Sequence, residues 1–197
     1  MSTVHYEWNR AEPRALARLV QPAALPAELA WPNYINRLDL RLAEGPRGVA
    51  AQLYELIRKR ALHYDLEPFN PNAGKSQLIR TPATILAEQR GTCLDLSVLF
   101  ATLCLANELL PLIIVVDGHA FAGLSLMRTR PKVPRAPQYM KWSEGLLTDY
   151  TLLQNLAGQE YLFVECTGLA QSKVLSTDFP EGQGRNSGGT LSFERVQ

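Results

Sequence analysis

The sequence predicts an α+β fold, in which helices and antiparallel strands share one core, and three stretches carry that prediction. Leu94 to Leu110 is apolar almost all round, the pattern of a helix buried on most sides, with Pro111 as its stop. Leu112 to Val116 is rich in β-branched residues and reads as a central strand. Asp117-Gly118 is a strong two-residue hairpin signal, so His119 to Leu126 is expected to return as the antiparallel neighbour. A chain of 197 residues can bury such a core as one domain without covalent staples.

Taken in order, residues 1–47 form an N-terminal extension packed on the domain, and residues 48–197 form the domain itself. Pro13, Pro22, Pro26, Pro32 and Pro46 interrupt the extension too often for one long helix. A short helix from Pro13 to Val20 fits proline's preference for a helix start, and Tyr34 to Leu42 alternates weakly, as a strand would. Gly48 to Tyr64 is expected to be a helix, with Val49, Leu53, Leu56, Ile57 and Tyr64 on one face. Its Arg58, Lys59 and Arg60 complement the helix dipole and are read as a solvated face. Glu67 to Gly74 has loop chemistry. Thr81-Pro82 opens a short helix, and Gly91 suits the left-handed residue that would stop it. Thr92 restarts a helix, because Thr92-x-x-Asp95 resembles a capping box and makes Cys93 the first helical residue. Past the hairpin, Met127 to Lys141 is a basic, proline-rich loop, Thr148 to Leu156 a short helix, Tyr161 to Thr167 a strand, and Glu181 to Thr190 a Gly-rich loop.

Composition excludes several function classes. A net charge of +1 gives no global field for nucleic acid or an anionic membrane. The three cysteines are odd in number and scattered, which favours free thiols in a reducing compartment over a disulfide scaffold. The first residues have neither a basic leader nor an apolar core, and the longest apolar run is too short to span a bilayer, so the expected location is the cytoplasm. Cys93 and Cys104 would lie roughly 16 Å apart on one helix, and no pair has C-x2-C spacing, so no metal site is expected. No phosphate-binding glycine loop is present, and no cofactor is implied.

The chemistry centres on Cys93. At a helix N-terminus, unpaired N–H groups and the dipole favour a thiolate, which would lower the thiol's pKa. His119, at the start of a strand after a tight turn, could bring its ring to the sheet edge over that terminus. On its strand it shares a face with Phe121 and Gly123, opposite Ala120, Ala122 and Leu124. The small residues Ala120, Ala122 and Gly123 suit close helix packing. Glu165 shares a face with Phe163 and Thr167, away from Leu162, Val164 and Cys166, and an ionised group in such an apolar strand requires a partner. An imidazole on the neighbouring strand is a natural one, and holds the tautomer that leaves the other ring nitrogen for the thiol. Glu160 and Asp149 compete for that role from loop-like surroundings, and Asp95 is better read as the cap. Gln77 is either a surface glutamine or a donor to an oxyanion, beside the Cys93 backbone N–H.

With these residues in place, the sequence resembles the transglutaminase-like superfamily of papain-type cysteine enzymes from about Leu53 to Thr167. The resemblance is to a bacterial branch. It rests on four segments in order: Gln77-Leu78-Ile79-Arg80-Thr81-Pro82, Gly91-Thr92-Cys93-Leu94-Asp95, Gly118-His119-Ala120-Phe121 and Glu165-Cys166-Thr167. It implies an α+β fold with the cysteine helix packed on an antiparallel sheet, Cys93 as nucleophile, His119 as base, Glu165 as third member where the superfamily usually has aspartate, and Gln77 as oxyanion donor. The implied activity is that of a cysteine peptidase-like hydrolase acting through an acyl-enzyme on a protein or peptide. The resemblance also points to a partner protein that regulates it or is cleaved by it, in a bacterial system of the defence type. Glutamine deamidation or transamidation uses the same acyl-enzyme, and a non-catalytic interaction domain would keep the fold alone.

Overall fold

The computed structural model describes residues 5–29, 38–67, 70, 75–116, 118–129 and 161–171, with side chains from 45 onward in the first α-helix and up to 126 in the longest strand. In chain order the elements are β1 (His5–Asn9), α1 (Leu38–Arg58), β2 (Leu62–Tyr64), β3 (Ser76–Arg80), α2 (Pro82–Glu88), β4 (Arg90–Gly91), α3 (Cys93–Ala106), β5 (Leu109–Val116), β6 (His119–Thr129), β7 (Tyr161–Val164) and β8 (Ala170–Gln171). Short 3-10 turns at Pro13–Leu19, Pro22–Ala24, Ala27–Leu29 and Thr167–Leu169 fill the connections. The mixture of helix with small antiparallel sheets is that of an α+β protein. Asp117, the Thr148–Leu156 helix, the Gly-rich Glu181–Thr190 loop and the basic loop beyond Thr129 fall outside the described residues. Among the described residues, no helix is long and apolar enough to cross a membrane.

Three small sheets surround α3. Strands β5, β6 and β7 form an antiparallel sheet in that order, β1 pairs antiparallel with β3, and β4, β2 and β8 form a parallel set centred on β2. Every residue of α3 from Leu94 to Cys104 is buried, as its continuous apolar sequence requires. The polar residues within it find partners one turn back. Ser97 Oγ donates to the Cys93 carbonyl at 2.7 Å, and Thr102 Oγ1 donates to that of Val98 at 2.7 Å. The helix packs on the face of β6 that carries Ala120, Ala122 and Leu124, all of them buried.

The N-terminal residues contribute to the core. β1 runs beside β3 with Trp8 opposite Gln77, and Trp8, Leu16 and Leu19 pack with Ile79, Leu94, Val98 and Ala120. Leu25 and Leu29 join the larger cluster around Phe100.

Several boundaries differ from the sequence expectation, each for a local reason. Residues 38–42 belong to α1 and not to a strand, and Gly45, with φ of 59°, breaks that helix just before Pro46. The helix stops at Arg58, not at Tyr64. Ala61 takes a left-handed φ of 55°, after which Leu62 and Tyr64 alternate into a strand. The stop of α2 is Gln89, with φ of 53°, and not Gly91. Gly91 serves another purpose: a Cβ there would lie 3.0 Å from the Asp95 Cβ. Asn107 caps α3 with its Nδ2 bonded to the carbonyls of Leu103 and Leu29, and Glu108 at φ of 62° turns the chain into β5. The helix therefore ends before Leu110, and Pro111 lies inside the strand next to a register shift. β5 lies at the edge of its sheet, not the centre, and an edge is where a strand tolerates proline. Gly123 faces Ile114 and Phe163, on the side away from α3, so it has no part in the helix contact.

The start of α3 is held by one buried ion pair. Thr92 Oγ1 accepts from Asp95 N at 3.2 Å, and Asp95 Oδ2 accepts from Thr92 N at 3.0 Å, which completes the capping box. The same carboxylate accepts from Arg80 N at 2.8 Å and from Arg80 Nη1 at 2.9 Å. Arg80 continues to Asp65 at 2.7 Å and approaches Glu88 at 3.5 Å. Removing one member strands the other in a water-free site, a change that costs about 3–5 kcal/mol. Asp95→Ala is therefore expected to lower the unfolding free energy by that amount in a urea titration, against about 1 kcal/mol for Thr92→Ala.

Candidate functional site

Cys93 is the first residue of α3, directly after the capped Thr92, and is partly exposed, whereas Cys104 and Cys166 are buried in the main cluster. Its side chain packs against the cluster that holds Ala120, Ile79 and Trp8. Ala120 and Leu94, both in that cluster, are its neighbours. Cys93 thus sits beside the residue that follows His119.

His119 opens β6 directly after Gly118, whose φ of 72° gives the tight turn that places Val116 opposite His119. Its ring stacks on Phe121 at 6.1 Å, and Phe121 meets Phe163 edge-on at 5.9 Å, so the imidazole is backed by an aromatic pair. His119 Nε2 lies 2.6 Å from Glu165 Oε2. A carboxylate accepts, so Nε2 carries the proton and Nδ1 is left as the basic nitrogen.

Glu165 lies one residue beyond the end of β7, not inside a strand, because Cys166 turns into a helical conformation and a 3-10 turn follows. The face assignment holds nonetheless: Leu162, Val164 and Cys166 join the main core, and Phe163 lies on the other side with Ile114. The chain bend gives Glu165 a local clamp. Its Oε1 accepts from Thr167 N at 2.9 Å and from Thr167 Oγ1 at 2.8 Å, leaving Oε2 for His119. The backbone carbonyl of Glu165 accepts from the Tyr54 hydroxyl at 3.2 Å.

Gln77 is half-buried on β3, opposite Trp8 and two residues before Ile79. Strand alternation puts it on their face, and both pack in the cluster that Cys93 touches. The register therefore turns Gln77 toward the Cys93 side of the sheet. Asp95 is occupied as the cap, as its spacing from Thr92 suggested, and also as the ion-pair partner of Arg80. Glu160 and Asp149 fall outside the described residues. Among the described residues, no group of His, Cys, Asp and Glu side chains could hold a metal ion.

Burial pushes the Cys93 thiol up from its ordinary value, and the Glu165 charge adds to the rise. The hydrogen bonds from Ala120, Tyr64 and Leu94 lower it by less. The thiolate expected from the helix terminus alone is thus overturned, because desolvation of the sulfur outweighs the donors around it. Two contributors lacked a usable signal in the sequence. Tyr64 looked like a helix-face residue until the helix proved to end at Arg58, and Thr167 lay in a segment read as plain strand.

Comparison of the chain with protein-family models, curated proteins and solved structures gives no match.

A thiol whose pKa is raised stays protonated at neutral pH and ionises only above the usual thiol range. The ultraviolet thiolate absorbance of the protein, with that of Cys93→Ala subtracted, should therefore titrate above 9.0, the ordinary value.

Proposed function

We propose that this chain is a cysteine peptidase-like hydrolase of the transglutaminase-like, papain-type kind, with Cys93 as nucleophile, His119 as base, Glu165 as the residue that orients His119, and a protein or peptide as substrate. The observation that carries the reading is the 2.6 Å contact between His119 Nε2 and Glu165 Oε2, with His119 directly before Ala120, which belongs to the cluster that Cys93 packs against. His119 and Glu165, held together from separate elements, fit the base and the orienting group that acyl transfer needs, and Cys93, the one partly exposed cysteine among the described residues, fits the nucleophile.

Because the resting thiol is protonated, His119 Nδ1 takes the S–H proton as the sulfur attacks the carbonyl carbon. The C–N bond then breaks, the imidazolium gives that proton to the leaving amine, and a thioester remains on Cys93. Water, deprotonated by His119, attacks the thioester and releases the acid and the thiol. Negative charge on the tetrahedral oxygen is assigned to the Cys93 backbone N–H and the Gln77 amide, whose strand register turns it toward the Cys93 side. Glu165 stabilises the imidazolium formed in each half-reaction, and Thr167 keeps the Glu165 carboxylate from rotating away.

Incubation with unfolded protein substrates should generate new N-termini, and Cys93→Ala should abolish them. Ammonia released from glutamine side chains without new termini would replace the peptidase with a deamidase or transglutaminase. Neither product, together with no thioester on Cys93, would leave an interaction domain.

A further inference from the structure

β7 ends at Val164, whose Cα partner on β6 is Ala122, so the Glu165 carbonyl lies past the last residue pair of that ladder. A carbonyl that leaves a sheet needs another donor, and Tyr54 supplies one from α1, its hydroxyl donating at 3.2 Å. The Tyr54 side chain is buried in the main core with its ring edge-on to Phe100 at 6.0 Å, so the hydroxyl is aimed from a packed base. Gly168 leaves room for it: a Cβ there would collide with the Tyr54 hydroxyl. Between these two residues the chain bends. Cys166 takes a helical conformation and the 3-10 turn follows, while Thr167 N and Oγ1 donate to Glu165 Oε1 at 2.9 and 2.8 Å. The other carboxylate oxygen meets His119 Nε2 at 2.6 Å.

We infer that Tyr54 is a positioning residue: by fixing the Glu165 carbonyl it sets where the Glu165 carboxylate stands, and through that carboxylate which nitrogen of His119 keeps the proton. What this placement serves rests on the hydrolase reading, but the chain of contacts does not. The Thr167 bonds lie inside the bend and move with it, whereas the Tyr54 bond ties the bend to a separate element. Without the hydroxyl the carbonyl loses that partner, the peptide between Glu165 and Cys166 is free to turn, and the carboxylate is carried off the imidazole. Two substitutions remove the tie from opposite sides. Tyr54→Phe keeps the ring and its contact with Phe100 but removes the donor. Gly168→Ala keeps the tyrosine but takes the space of its hydroxyl. Combined, the two do not clash, because the next nearest atom to that Cβ is Tyr54 Cζ at 3.7 Å, an ordinary contact. Their effects should therefore not add.

The test reads the two ring-nitrogen shifts of His119 by long-range proton–nitrogen NMR at alkaline pH, with Glu165→Ala as the benchmark for a ring without its carboxylate. In wild type a single tautomer protonated at Nε2 should give the widest separation of the two shifts. Tyr54→Phe and Gly168→Ala should each narrow it toward the Glu165→Ala value, and the double variant should match Tyr54→Phe alone. Cys104 and Cys166 staying unlabelled by iodoacetamide reports an intact core in each protein. In Tyr54→Phe, kcat for peptide cleavage should fall roughly two- to tenfold with KM unchanged, the range that one hydrogen bond supplies. A wild-type separation in both single variants overturns the role of Tyr54, whichever way cleavage falls. So does a further narrowing when Gly168→Ala is added to Tyr54→Phe. Narrowed separations in a protein whose wild type cleaves nothing keep Tyr54 as the residue that places His119 and remove the hydrolase reading instead.

Discussion

Asp95 has no contact with solvent, and its two oxygens are shared between the Thr92 backbone, which starts α3, and Arg80, which ends β3. Everything chemical in the fold depends on that buried carboxylate. It holds the helix terminus so that Cys93 is the first residue with helical geometry. It fixes the end of the strand that bears Gln77. Through Arg80 it reaches Asp65, directly after the strand that bears Tyr64. A carboxylate and a guanidinium taken out of water together are costly, and the gain in return is geometric more than energetic: three segments distant in sequence share one fixed point. The close approach at Gly91 follows from the same arrangement, since a side chain there would press on Asp95.

Around the sulfur two opposing effects meet. The helix terminus and its N–H groups favour a thiolate, and burial with a nearby carboxylate disfavours it more. The resting site therefore holds a thiol, and under the proposed function its activation is assigned to His119, which bonds Glu165 and stacks on Phe121. Glu165 acts in two ways. Its charge makes the thiolate less favourable, and its Oε2 holds the His119 ring.

How much of this was legible in the sequence depended on whether the signal was local. The capping box from Thr92 to Asp95, the Thr81-Pro82 helix start, the Asp117-Gly118 turn and the faces of β6 and β7 are written within a few residues, and all the described parts appear. His119 and Glu165 came together as the alternation of their strands suggested, although Glu165 lies just past its strand. What escaped were features set by tertiary context. Ala61, Gln89 and Glu108 adopt left-handed backbone that their residue types do not advertise, and each one moved a boundary. The left-handed residue at Ala61 hid the strand position of Tyr64, and the lone arginine of the Gln77 to Pro82 segment gave no sign that it would be buried against Asp95. The direction of the Cys93 shift was misjudged because burial, a long-range property, outweighed the local dipole.

The central claim is that His119 activates Cys93 and no other thiol. An intact-mass time course with a thiol-reactive electrophile at neutral pH, wild type against His119→Ala, tests it most directly. Modification of Cys93 alone, and much slower without the imidazole than with it, is the predicted result. Labelling at the same rate in both proteins, or slow labelling spread equally over Cys93, Cys104 and Cys166, would contradict it.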